Sequence, residues 1–193
     1  MKKIIGLLLL IFTITANAEL VVPKKYFNPE SGCTIKQTAQ RFSQENPFVV
    51  EITCGDKLGR SEGNWYTKCG YETNSSTGFE EIICDTKQKN LLILTHGNFA
   101  KSIIFMDAHN GINNFKTKVN IKIDGGNSIT DLSADLIGDN HTDIVLRKLK
   151  SGKELIYTWK RSNEQFEKIK INLIGLKQSL EFVDALKIEN KSY

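Results

Sequence analysis

Proline is almost missing, 3 residues in 193, and the 14 glycines form no tract, so the chain holds no Pro/Gly-rich linker and no collagen-like repeat. Neither sign of charge dominates: 26 Lys and Arg stand against 22 Asp and Glu. The basic pairs Lys148/Lys150 and Lys160/Arg161 sit among apolar residues, as on a solvated sheet face. That pattern argues against nucleic acid, whose binders concentrate basic residues in a stripe. There is no His-Glu-x-x-His, no phosphate-binding glycine loop and no Cys-x-x-Cys. Past the first residues, no apolar run approaches the roughly 20 residues needed to cross a bilayer. The length suits one domain with a small appendage and excludes a large multidomain enzyme.

What is present begins with a leader. Met1-Lys2-Lys3 is basic, Ile4 to Ile14 is apolar, and Thr15-Ala16-Asn17-Ala18 has a small-x-small end. These are the three regions of a secretory signal peptide, with cleavage expected after Ala18. The apolar core is about half the length of a membrane span. Of the 26 basic residues, Lys2 and Lys3 leave with it, which reduces the surplus over 22 acids to +2. The expected product is periplasmic or secreted, without membrane insertion.

Cys33, Cys54, Cys69 and Cys84 all fall in the first half of that product. An even count in an exported chain points to two disulfides, with three connectivities open. Sequential pairing, Cys33 with Cys54 and Cys69 with Cys84, closes the shorter loops and is favoured. Zinc ligands would stand two to four residues apart, and none of these do.

Residues 19–47 read as an irregular segment with a short helix through Thr34 to Phe42. From residue 48 onward, short β-branched and aromatic runs alternate with Gly, Asn and Ser, which is the mark of strands joined by tight turns. The second half repeats at an offset of about fifty residues. Leu91–Leu94 is answered by Asp143–Leu146, Ser102–Met106 by Lys153–Tyr157, Phe115 by Phe166, Val119–Ile123 by Ile169–Leu173, and Ile129 by Leu180. Units of this length with several strands are typical of propeller blades. The expectation is an all-β protein: an incomplete, propeller-like array of antiparallel sheets with a short helix or irregular segment near the mature N-terminus. Its units are 48–88, which carries the cysteines, then 89–140 and 141–193.

Between the last two units runs Ala134-Asp135-Leu136-Ile137-Gly138-Asp139-Asn140-His141-Thr142-Asp143-Ile144-Val145-Leu146. This stretch resembles the FG-GAP or VCBS repeat of integrin-type β-propellers, whose aspartate-rich loop leads into a strand. The resemblance implies a Ca²⁺ site, a hard cation taking six to eight oxygens. Asp135, Asp139 and Asp143 would supply carboxylates and His141 a backbone carbonyl. Ile137 stands where the family places an oxygen ligand, and Asn140 where it commonly has glycine. The loop is thus either a weak calcium site or a turn that only caps and reverses the chain.

No catalytic constellation emerges, and the chain is read as not an enzyme. His96 and His109 fall in expected turns, and Glu80 and Glu81 on one strand point to opposite faces. Loops on a rigid β scaffold carry recognition, so the candidate contacts are His96, Asn98, Asp107, His109 and Asn110, with Gly125 to Ser128 beside them. The expected partner is another protein. By family-level analogy, the role is that of an exported inhibitor or immunity-type protein that blocks a hydrolase or toxin. The alternative is a calcium-dependent adhesion or ligand-binding module of the cell surface.

Overall fold

Alternation of apolar and polar side chains from residue 49 to residue 107 builds one continuous antiparallel meander. The computed structural model describes residues 20–38, 49–55, 64–73, 75–97, 100–107, 111–112, 118–137, 140–160 and 165–190. After two 3-10 turns, Lys24–Phe27 and Pro29–Ser31, come β1 (Cys33–Thr38), β2 (Val49–Cys54), β3 (Trp65–Thr73), β4 (Glu80–Gln88), β5 (Leu91–His96), β6 (Ala100–Asp107) and β7 (Gly111–Ile112). Then follow β8 (Lys118–Ile123), β9 (Ile129–Ser133), β10 (Asp135–Ile137), α1 (Asn140–Ser151), β11 (Glu154–Lys160), β12 (Phe166–Asn172) and α2 (Leu176–Glu189). The larger sheet runs β1-β2-β3-β4-β5-β6-β10, with β7 also on β6, and the smaller runs β12-β11-β8-β9. The all-β, antiparallel class holds, with short helical turns near the start.

The inner face of the larger sheet is divided between two cores. Ile93, Ile103 and Phe105 pack against Val119, Ile121, Leu155, Tyr157 and Trp159 of the smaller sheet, with Val145 and Leu149 of α1. Tyr157 stacks edge-on to Phe105 with ring centroids 5.1 Å apart. Its hydroxyl donates to the carbonyls of Asn90 at 3.1 Å and Met106 at 2.8 Å, so the polar end of a buried ring is satisfied. Trp65 Nε1 donates to the Asn172 carbonyl at 3.0 Å, tying β3 to β12. The second core lies under β2 to β4, where Ile52, Cys69, Tyr71 and Cys84 meet Phe182, Val183 and Leu186 of α2 and Leu20, Val22 and Tyr26 of the N-terminal segment.

Three expectations are corrected. The helix expected over 34–42 is strand β1 in its described part, paired residue for residue with β2. The strand expected at 143–146 lies inside α1. Thr142, Val145, Leu146 and Leu149 are its buried residues, the spacing of one helical face. Asp143 in the first turn and Lys148 and Lys150 in the last suit the helix dipole. Leu180, expected to close the repeat as a strand, lies in α2, whose buried Leu176, Leu180 and Val183 again recur at helical spacing.

The proposed repeat fails at these points. Ile93 is fully buried in strand β5, while Ile144, 51 residues further on, is 42% exposed on helix α1. Where both members of a pair are strands, they occupy unlike places: β6 belongs to the larger sheet and β11 to the smaller, while β8 and β12 both flank β11.

At the head of α2, Gly175 has φ +93, and a Cβ there would meet the Cys54 carbonyl oxygen at 2.5 Å. Only glycine combines that backbone conformation with so close an approach to the end of β2.

Candidate functional site

Both helices contribute to the cores on the inner side of the larger sheet. Its outer side is built by the other half of the alternation. The registers connect two rows of side chains across seven strands. One runs Lys36, Glu51, Lys68, Asp85, Leu94, Ser102, Ile137. The other runs Thr34, Thr53, Tyr66, Lys87, Leu92, Ile104, Asp135. The first row thus begins as a ladder of alternating charge, the arrangement in which directly opposed residues attract, and ends on Leu94, Ser102 and Ile137.

The charged half is chemically coupled. The Tyr66 phenol is pushed well above its ordinary value by burial, by its hydrogen bond to Glu51 and by the nearby carboxylates of Glu51 and Asp85. Lys87 Nζ sits 5.6 Å from the Tyr66 ring centroid. Burial raises the Asp85 carboxyl, against the pull of Lys87, His96 and Lys68. The apolar half is formed by half-buried Leu92 and Leu94, buried Ile104 and exposed Ile137.

The residues singled out from sequence are distributed unevenly over this frame. His96 ends β5 on the outer face, within electrostatic reach of Asp85. Asp135 lies on the same face in β10, opposite Ile104. Its Oδ1 is buried without a hydrogen-bond partner, and burial raises its carboxyl above the ordinary value. His141 and Asp143 are exposed residues of the first turn of α1. The aspartate-rich stretch therefore leads into a helix. Among the described residues, no group of three or more His, Cys, Asp or Glu is placed to hold a metal ion. Asp107 ends β6. Asp139, Asn98, His109 and Asn110 lie outside the described residues.

The four cysteines pair as favoured, Cys33 with Cys54 and Cys69 with Cys84. Both bridges join directly opposed residues of neighbouring strands.

The expected contact segment at 125–128 borders a cleft of about 190 Å³ between the β8–β9 turn and the end of α1, walled by Ile121, Ile123, Ile129 and Lys148. It is smaller than the usual small-molecule site of roughly 300 Å³ or more. Its carboxylate has structural work: Asp124 Oδ1 accepts from the backbone N–H groups of Lys153 and Glu154, each at 2.8 Å. Those two bonds hold its carboxyl below the ordinary value. The turn is thereby clamped to the start of β11.

Sequence reasoning missed the charge ladder, although a signal existed. Cys69 opposite Cys84 places Lys68 opposite Asp85, and extending that register sets Tyr66 against Lys87.

No protein-family model matches the chain, and no curated protein matches it either. Among solved structures there is similarity in part. The crystal structure of invasion associated protein b from Bartonella henselae aligns with 64% of this chain and 94% of its own, at 13% sequence identity and a TM-score of 0.40. Among the described residues, no helix is long and apolar enough to cross a membrane.

Proposed function

We propose that the chain is an exported, non-catalytic binding protein, released after Ala18 into the periplasm or medium, that blocks a hydrolase or toxin by covering its surface. The observation that carries this reading is the outer face of the larger sheet. There a ladder of paired charges gives way to Leu92, Leu94, Ile104 and Ile137, on the side away from both helices. Such a surface offers register through its charges and buried area through its apolar half, the two components of a specific interface. The two disulfides and the basic-apolar leader are what a protein working outside the cytosol would carry.

The test uses the purified protein as bait for periplasmic and secreted proteins. A stoichiometric hydrolase or toxin is expected, inhibited on binding and lost when exposed Ile137 is changed to Asp. Recovery of no such protein, or capture indifferent to Ile137→Asp, would remove the reading.

A second reading, a calcium-dependent surface module, has one observation in its favour. The orphaned Oδ1 of Asp135 stands at the head of the aspartate-rich stretch, as an oxygen awaiting a cation would. Thermal unfolding with Ca²⁺ and with chelator decides it. A rise in Tm with calcium that Asp135→Asn abolishes is expected on this reading, and identical curves would end it.

A further inference from the structure

The smaller sheet also has two unlike faces. Val119, Ile121, Leu155, Tyr157, Trp159 and Ile171 turn inward. The alternate residues turn outward, and they are strongly basic. Lys118 and Lys122 come from β8, Lys160 from β11, and Lys168 and Lys170 from β12, all five exposed. The registers align Lys122, Ile156 and Lys170 in one row, and Asn120, Thr158 and Lys168 in the next. Against five lysines this side sets Glu154, which is paired with Lys170, and Asp131 on β9. Lys170 remains 67% exposed within that pair. Five lysines against two acids give this face a local excess of positive charge.

The same strand ends the sheet. Among the described strands β12 pairs with β11 alone. Leu173 N–H donates to the Lys153 carbonyl at 2.8 Å. Antiparallel alternation then turns the backbone groups of Glu167, Ile169 and Ile171 toward β11, and those of Phe166, Lys168 and Lys170 toward the outer edge. The Asn172 carbonyl follows the same alternation, since it meets Trp65 from that side. Phe166, at the head of this edge, is 71% exposed.

We propose that β12 receives an extended acidic segment of a partner protein, which joins the smaller sheet as a fifth strand and sets alternate carboxylates against Lys168 and Lys170. A row of main-chain donors and acceptors selects a polypeptide strand, which neither a bilayer nor a nucleic acid can offer. Lysines two residues apart on one face select acids at the same period. Phe166 covers an apolar side chain at the end of the added strand. This proposal rests on the reading of the chain as a protein-binding protein and names a different surface of it.

The test is fluorescence anisotropy of the purified protein with a labelled peptide of alternating glutamate and valine, beside its glutamine-valine counterpart. The glutamate peptide is expected to bind, and the glutamine peptide to bind about tenfold more weakly. K168E/K170E should weaken the glutamate peptide by about tenfold or more, and K168Q/K170Q by less, with unfolding curves confirming that both variants fold. Phe166→Pro, which removes an edge N–H without touching a lysine, should also weaken it by about tenfold. Binding unchanged by Phe166→Pro would show charge attraction alone and overturn strand addition. So would anionic phosphatidylglycerol vesicles that bind through Lys168 and Lys170 while the peptide does not. A bait experiment whose partner is unaffected by K168E/K170E overturns this proposal and leaves the binding reading standing. If no partner is recovered, the binding reading fails, and the peptide titration still decides the edge.

Discussion

Lys187 is the residue whose surroundings are least comfortable. It is 5% exposed, its amine donates to the Gly97 carbonyl, and Asp184, three residues earlier on the same helix, is engaged by Lys101 at 2.9 Å and Lys150 at 3.7 Å. Burial first, then the charge of Lys101, lowers its pKa from 10.5 to about 8, against the pull of Asp184 and Glu81. Below about 8 the residue is protonated in both folded and unfolded chains, and the buried charge exerts its full destabilising effect. Between about 8 and 10.5 the unfolded chain holds more protons, so stability rises with pH across that window. The phenols of Tyr26, Tyr66 and Tyr71, all raised, act in the opposite direction above the ordinary tyrosine value of about 10. Denaturant unfolding at neutral pH and near pH 9.5 should therefore show the protein gaining on Lys187→Met, which keeps the stem and removes the proton. Parallel changes in the two proteins would mean that Lys187 stays charged throughout.

At the level of elements, the disulfides sit where the larger sheet has no second sheet behind it. Apart from Trp65, which reaches β12, the core side chains of β1 to β4 meet α2 and the N-terminal segment, and both bridges lie within those four strands. Replacing Cys69 and Cys84 together with alanine reopens a loop of 15 residues. In the chain-entropy picture, closing such a loop contributes about 3 kcal/mol. The expected result is a fall of that order in unfolding free energy by urea titration, with the β-sheet signal retained. A loss well under 1 kcal/mol would mean that strand pairing already holds β3 against β4 in the unfolded ensemble. This bridge was legible in sequence because cysteine spacing is local. The helices were less so. Asp143-Ile144-Val145-Leu146 is β-branched enough to pass for a strand when read four residues at a time, and Leu149 reveals the helical period only when the window is widened. The apparent fifty-residue repeat joined such windows by hydrophobic phase, which a buried helix face and a buried strand share over so short a length.

Across the whole molecule, α2 belongs to both cores: Leu176 and Leu180 enter the one between the sheets, and Phe182, Val183 and Leu186 the one beneath β2 to β4. Gly175, pressed against Cys54, fixes where that helix begins. Alternation along β2 to β6 and the antiparallel class were determined by the sequence on its own, and the sequence favoured the cysteine pairing that the structure shows. Each depends on residues near one another in the chain, where the strand period and loop closure operate directly. The tertiary structure alone decided that lysines spread from residue 118 to residue 170 share one face, that β12 stands at an edge, and that Asp135 ends beside Ile104 rather than among other aspartates. Those outcomes follow from strand order and register between distant segments. Two sheets packing on a common core set them, through contacts that no short stretch of sequence contains.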